Sequence, residues 1–237
     1  MTDLINHLFI DHAVQFAVLP EFISFLAGKK KIIRIVVDQN PKPFDFKLFE
    51  KYGFIVSAVS IFSVYKDNSF ALLLPNADNL KPDSYQKVMM YSICKNAKDL
   101  YKFEQSEVNG DTELAGNLLG YPKCCVKNAE AISSFGAHWA NYYLNDYNTH
   151  KTAHHLTNRF PIVWGGVSPI GELFPCSLSC TKAIHYAQQM ISNLHDFGFQ
   201  KIANVSIEHG MKTVFINEID GAISTKNQVG YNPIIFH

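Results

Sequence analysis

Four of the five cysteines fall in two groups, Cys124-Cys125 and Cys176-x-x-x-Cys180. Grouped thiols of this kind hold tetrahedral zinc or an iron–sulfur cluster. Each group stands just after a proline, in Pro122-Lys123-Cys124-Cys125 and in Pro175-Cys176. Proline favours the first position of a helix, because its missing N–H has no partner there anyway. Both groups are therefore expected in the first turn of a helix. The free N–H groups and the positive end of the dipole lie there and favour thiolate over thiol. Neighbouring helical residues point about 100° apart, so Cys124 and Cys125 share one ion only with strain, whereas a larger cluster reaches both. This favours an iron–sulfur cluster of the 4Fe-4S kind, with Cys124, Cys125, Cys176 and Cys180 as ligands, over zinc. If three cysteines ligate, one iron is left open as a Lewis acid. Cys180 also falls in register with Ile184, Ala187, Ile191 and Leu194. Taken alone it reads as a core cysteine.

Other side chains are candidates for the chemistry. Tyr121 stands beside the first cysteine group and could orient a substrate or simply pack. His138 and His185 are candidate general bases, although His185 points away from the cysteine face of an ideal helix. His150 and His154 share a helical i, i+4 spacing with Asp146 one turn earlier, a metal-ligand pattern that reads more simply as a solvated face. Gly165, Gly166 and Gly171 make a loop before Cys176 through which a small polar substrate could enter. Arg34 and Arg159 are the only arginines, hence the only groups able to clamp a carboxylate or phosphate with a guanidinium fork.

The elements that must position these residues follow from periodicity and breakers. Residues 1–28 read as helical and stop at Gly28. Residues 31–38 form a β-branched strand and 46–52 a short helix. Strands are expected at 54–65 and 69–74, joined by a hairpin turn. A helix over 83–103 follows from Val88, Met89, Ile93 and Ala97 on one face. Helices are further expected at 111–119, with Asp111 as N-cap, at 122–134, continuing through parts of 135–155, and at 175–194. Residues 160–173 read as a loop. The strands 203–208 and 212–217 flank a hairpin turn at 209–211.

The segment Leu119-Gly120-Tyr121-Pro122-Lys123-Cys124-Cys125-Val126 resembles the LGYPxCCV signature of an uncharacterised prokaryotic protein family. A second motif of that family, close to HxPCSxxCxxS, is similar to the stretch from Leu173 to Ala183. The cysteines, Pro175 and Ser177 match; Leu173 stands where the family has His. The resemblance spans about residues 113–194. It points to the cysteines and implies no reaction.

Composition bounds the rest. Of 237 residues, 47% are hydrophobic and 18% charged, enough for a core and unlike a disordered chain. Lys plus Arg and Asp plus Glu are each 21, so no basic footprint speaks for nucleic acid. No apolar run reaches the ~18 residues that cross a bilayer, and the N-terminus does not read as a secretory signal. The expected setting is a reducing cytoplasm, where five cysteines do not make a disulfide framework.

The expected fold is α+β (mixed α/β). A small α/β portion, 1–103, carries no evident chemistry. A helix-rich portion, 104–237, carries the cysteines and a C-terminal β-hairpin; the two could form one continuous domain. The expected activity is that of a metalloenzyme acting on a small polar substrate by Lewis-acid or sulfur chemistry at an iron–sulfur cluster. A non-catalytic module stapled by metal and a metal-free enzyme with Cys124 or Cys176 as nucleophile are the alternatives.

Overall fold

The computed structural model describes residues 2–11, 18–38, 44–65, 85–133, 139–150, 152–159, 167–216, 223–229 and 234–236. The chain opens with α1 (Thr2–Asn6), which runs on as a π-helical turn, His7–Asp11, and then α2 (Leu19–Leu26). Every residue of α2 is buried. Gly28 takes a left-handed φ of 72° and releases the chain into β1 (Ile32–Asp38). The short helix α3 (Phe46–Lys51) is capped by Asp45, whose carboxylate accepts from Leu48 N. Next come β2 (Ile55–Tyr65) and β3 (Tyr85–Cys94). β3 lies between β1 and β2 and is antiparallel to both. The expected strand at 69–74 lies outside the described residues.

The helix expected over 83–103 is a correction. Its first half is β3, and the helix α4 (Ala97–Asn109) starts only after Asn96. Asn96 Oδ1 accepts from the amides of Lys98 and Asp99 at 2.8 and 3.4 Å, satisfying donors that the first turn leaves open. A central strand is covered on both faces, so its apolar residues need not alternate. Met90 through Cys94 are all buried, and such a run satisfies helical spacing by accident.

The later part is helical: α5 (Thr112–Leu118), α6 (Lys123–Ser133), α7 (Trp139–His150), a 3-10 turn at His155–Thr157, α8 (Thr181–Asp196) and α9 (Gln200–Gly210). Asp111 caps α5 by accepting from Leu114 N at 2.9 Å, as its position suggested. The strand expected at 203–208 is instead part of α9. Its buried residues, Ala203, Ser206 and Gly210, are spaced three and four apart, a helical stripe. A Cβ on Gly210 would stand 2.5 Å from the carbonyl oxygen of His155, so α9 packs closely on the 3-10 turn. The expected C-terminal hairpin is accordingly replaced by a second sheet. In it β4 (Lys212–Ile216) lies antiparallel to β5 (Ile223–Val229) and parallel to β6 (Ile234–Phe236).

The fold is α+β, with the three-stranded antiparallel sheet early and helices later. One core unites the two. Leu4, Phe22, Ile23, Phe25, Ile33 and Phe49 pack in the same buried cluster as Leu194 of α8 and Ala203 of α9. Asn193 on α8 donates to Ser24 Oγ on α2 at 3.0 Å. No helix among the described residues is long and apolar enough to cross a membrane.

The contact between α5 and α6 sets where the first cysteine pair lies. A Cβ on Gly116 would stand 2.7 and 2.9 Å from the two Val126 methyls, so the helices meet with no room for a methyl. Gly→Ala inside a helix ordinarily gains up to about 1 kcal/mol. Here overpacking dominates, and Gly116→Ala is expected to lose about 1–3 kcal/mol in urea unfolding. The double variant Gly116→Ala/Val126→Ala should restore the helical gain at that contact; a stabilising single variant would disprove the close packing.

Candidate metal centre

The first cysteine pair sits where the sequence placed it. Gly120 turns the chain with a φ of 78°, and Tyr121 N bonds back to Gly116 O at 3.0 Å. The Pro122 carbonyl accepts from Cys125 N at 2.8 Å and from Val126 N at 3.0 Å. Helix α6 starts at Lys123, so Cys124 and Cys125 lie in its first turn.

The second pair does not follow the expected pattern. Helix α8 begins at Thr181, not at Pro175, and Cys180 is its N-cap residue. Its sulfur accepts from Ala183 N at 3.5 Å, standing in for the oxygen that usually caps a helix. Residues 176–180 form a turn closed by Cys180 N to Ser177 O at 3.2 Å. Cys180 stands just before α8, whose buried side chains are Ala183, Ala187, Met190 and Leu194, and packs against the cluster that holds the first two. Its reading as a core cysteine is corrected: it is half-buried.

The two pairs converge. The Sγ atoms of Cys124, Cys125, Cys176 and Cys180 all lie within 4.8 Å of one another. Cys124 to Cys180 is 3.7 Å, Cys124 to Cys125 3.9 Å and Cys125 to Cys180 3.9 Å. Cys125 is buried and the other three are half-buried. The thiols of Cys125, Cys180 and Cys124 interact with the Cys176 sulfur and bring its pKa down to about 5 against the opposing effect of burial. Its partners move the other way. Interaction with Cys176, then burial, pushes Cys125 up. Burial, together with Cys176 and Cys124, pushes Cys180 up to about 11. Cys176 is thus drawn toward thiolate among neighbouring sulfurs, a group able to exchange protons for a cation. Four such sulfurs could hold a metal ion.

Helix α7 grips the Cys176 loop. Tyr142 donates its hydroxyl hydrogen to Cys176 O at 2.9 Å, and Tyr143 does so to Pro175 O at 2.9 Å. Asn128 on α6 donates to Tyr142 Oη at 2.6 Å and to Cys176 O at 3.3 Å. Asp146 Oδ2 accepts from Leu178 N at 2.8 Å. The Leu178 carbonyl in turn accepts from His154 N and Thr157 Oγ1. Asp146, His150 and His154 were grouped by spacing as a second ligand set. His150 Nδ1 does lie 3.0 Å from Asp146 Oδ1, but α7 ends at His150 and His154 belongs to the following turn. The supporting roles of Asn128, Tyr142 and Tyr143 carry no sequence signal beyond aromatic richness.

On the other side, Tyr121 enters a buried charged network. Lys30 Nζ donates to Glu21 Oε2 at 2.7 Å and to Tyr186 Oη at 2.9 Å. It lies 4.6 Å from the centre of the Tyr121 ring. The Tyr121 hydroxyl is 3.4 Å from both Glu21 oxygens, and Glu172 N donates to Glu21 Oε1 at 2.8 Å. Burial first, then the charges of Glu21 and Glu172, push the Tyr121 hydroxyl well above its ordinary pKa, so it remains a donor. Gly171 takes a φ of 56°, and a Cβ there would stand 2.7 Å from Glu21. The loop must be glycine to close over that carboxylate. Of the candidate bases, His185 lies exposed on α8 and His138 lies outside the described residues. Gly165 and Gly166 lie outside them as well. Glu21 and Lys30 were not singled out by the sequence, since a glutamate and a lysine nine residues apart carry no motif.

Residues 87–209, more than half of the chain, match the family described as Protein of unknown function (DUF483). The chain belongs to this family. The matched span contains the four cysteines, Tyr121, Arg159 and Glu172, whereas Glu21, Lys30 and Arg34 precede it. No curated protein matches the chain, and no solved structure does.

Cys124→Ser and Cys176→Ser should each lose bound metal in elemental analysis of the purified protein. Cys94→Ser should keep it, because Cys94 is buried on β3 with its thiol directed to Asn96 O at 3.3 Å. Tyr142→Phe removes a hydrogen bond to the Cys176 carbonyl while leaving the sulfurs in place. Its metal affinity in a chelator competition should fall about tenfold or more; an unchanged affinity would remove Tyr142 from the support of the site.

Proposed function

We propose that the protein is a metal-dependent enzyme for a small polar substrate, and that Cys124, Cys125, Cys176 and Cys180 hold one ion of the zinc class. The observation that carries the metal is the sulfur spacing. A metal–sulfur bond of about 2.3 Å in a tetrahedron sets its sulfurs about 3.8 Å apart. The separations among Cys124, Cys125 and Cys180, 3.7, 3.9 and 3.9 Å, fit that figure, and Cys176 lies within 4.8 Å of each of them. A four-iron cluster, favoured by the adjacent cysteines in the sequence, carries its thiolates on outward corners and needs them farther apart. The close sulfur spacing therefore favours the single ion over the cluster.

What supports an enzyme is the neighbourhood. Three of the four cysteines are only half-buried, and Tyr121 and Tyr186 pack in the same cluster as the cysteines. An ion bound there supplies Lewis acidity to any ligand that takes a coordination position. The Tyr121 ring would pack beside that region with its hydroxyl turned to Glu21, and the Gly171 loop would exclude water on the Glu21 side. The second reading is a structural staple, favoured by the completeness of four thiolates, which close a zinc site.

Anaerobic purification followed by iron, sulfide and zinc analysis tests the metal. One zinc per chain and no sulfide is the expected result. A brown protein with near-equal iron and sulfide would establish the cluster instead. Cobalt substitution then separates enzyme from staple. A cobalt–thiolate spectrum that shifts on adding cyanide indicates an exchangeable position, as an enzyme needs. A spectrum that cyanide leaves unmoved assigns the ion to the staple.

A further inference from the structure

The sulfurs that would hold the ion are also close enough to react with one another. Cys124 Sγ and Cys180 Sγ stand 3.7 Å apart, and a disulfide sets its sulfurs about 2 Å apart, so a small movement of each closes the bond. Both residues are half-buried, whereas Cys125 is buried, so a small oxidant reaches the first two more readily. A bridge from Cys124 to Cys125, at 3.9 Å, would close an eight-membered ring over one peptide bond. The first turn of α6 opposes that ring, with Cys125 N tied to Pro122 O at 2.8 Å. Cys176 is held through its own carbonyl by Tyr142 and Asn128, and through the Pro175 carbonyl by Tyr143. Cys124 and Cys180 are 56 residues apart in the chain, and a bridge stabilises more the longer the loop it closes. The short span from Cys176 to Cys180 gains least.

We propose that Cys124 and Cys180 form a redox switch: hydrogen peroxide joins them as a disulfide, and the bound ion is expelled. The switch acts on the metal site proposed above and rests on that reading for its ion, whereas the bridge itself needs only the two sulfurs. The Cys124 thiolate attacks one peroxide oxygen; an S–O bond forms, the O–O bond breaks and hydroxide leaves. The Cys180 thiolate then attacks the sulfenic sulfur of Cys124; the S–S bond forms, the S–O bond breaks and a second hydroxide leaves. The two sulfurs lose two electrons, the peroxide gains them, and buffer protonates the hydroxides. The ion departs as the divalent cation, its charge unchanged. Cys125 and Cys176 are left as ligands, fewer than the three protein ligands a catalytic zinc keeps. The bridge joins the first turn of α6 to the cap of α8, the same segments that the ion joins. The oxidised chain thus holds its shape there with the Lewis acid gone, an off state that a dithiol reverses.

The test treats the full-length chain, loaded with zinc and freed of excess, with hydrogen peroxide. Zinc release is read with a chromogenic pyridylazo chelator and free thiols by alkylation. Linked peptides are read by mass spectrometry, with fragmentation to locate the joined residues. About two thiols lost per zinc released, with Cys124 joined to Cys180, is the expected result. Dithiothreitol should then restore both the thiols and the capacity for zinc. Cys94→Ser should release zinc as the unmodified chain does, since Cys94 is buried on β3 with its thiol directed to Asn96 O. Zinc retained with its thiols intact, a joined pair other than Cys124 and Cys180, or oxidation that dithiothreitol leaves in place overturns the proposal. The same mapping is run on the chain stripped of metal. A chain that takes up no zinc yet forms the Cys124–Cys180 bridge defeats the metal reading and leaves the bridge standing. A zinc-loaded chain that forms no such bridge defeats the switch alone.

Discussion

Four sulfur atoms within 4.8 Å of one another impose a constraint that the surrounding chain has to meet. Four thiolates at that distance repel, and four thiols make only weak hydrogen bonds. Without an ion the negative charge is drawn to Cys176. Cys176 is drawn down to about 5 while Cys180 rises to about 11. The three partners then serve as donors to one acceptor. A divalent ion resolves the conflict by taking the place of the protons, and its binding free energy becomes folding free energy for the segments that carry the ligands. Those segments are the first turn of α6 and the turn leading into α8, which no backbone ladder joins directly. The steric fit of Gly116 against Val126 and the hydrogen bonds from α7 to residues 175–178 hold them in register.

The Glu21–Lys30 pair plays the matching part on the far side of Tyr121. Both side chains are almost wholly buried, and a buried pair is weak evidence for stability in itself. Here each charge has further partners: Tyr186 for the lysine, the Glu172 amide and Tyr121 for the carboxylate. Nearly every partner comes from the family-matched span, while the pair comes from the segment before it. The network thus registers the N-terminal helix and strand against the cysteine-bearing loops. A shift of either would leave a charge buried without its counterpart. That penalty specifies the docking more sharply than apolar contacts do, because apolar surfaces slide at small cost.

Local signals in the chain were legible where one element decides its own form. Pro122 opening α6, Asp111 capping α5, the β-branched run of β1 and the glycine stops at Gly28 and Gly120 act through neighbours in sequence. The misreadings share a different cause. β3 looked helical because burial on both faces removes the alternation that marks a strand. α9 looked like a strand because a short helix with only Ala203, Ser206 and Gly210 inward shows little apolar stripe. Pro175 looked like a helix start, yet Cys180 itself caps α8, a role that sulfur seldom signals. What no local pattern contains is convergence. Neither the start of α6 nor the turn before α8 announces alone that their four sulfurs lie within 4.8 Å of one another.

Whether four sulfurs can close on a single ion depends on where the second pair comes from. Adjacent helical residues diverge by about 100°, which works against sharing one ion when both sulfurs sit on a rigid helix. Only Cys124 and Cys125 are so constrained. Cys176 lies in a turn and Cys180 at a cap with extended backbone, φ −60° and ψ 109°. Three residues separate them, within the loop spacing that zinc sites use. The turn is therefore free to wrap toward the sulfurs that α6 presents, and Cys180 approaches both, at 3.7 and 3.9 Å. Placing one pair on a helix start and the other before a helix lets a directly adjacent pair join a tetrahedron. The same geometry explains why α7 grips the carbonyls of residues 175 and 176: the half of the ligand set carried by a turn, with no helix to fix it, is the half that needs holding.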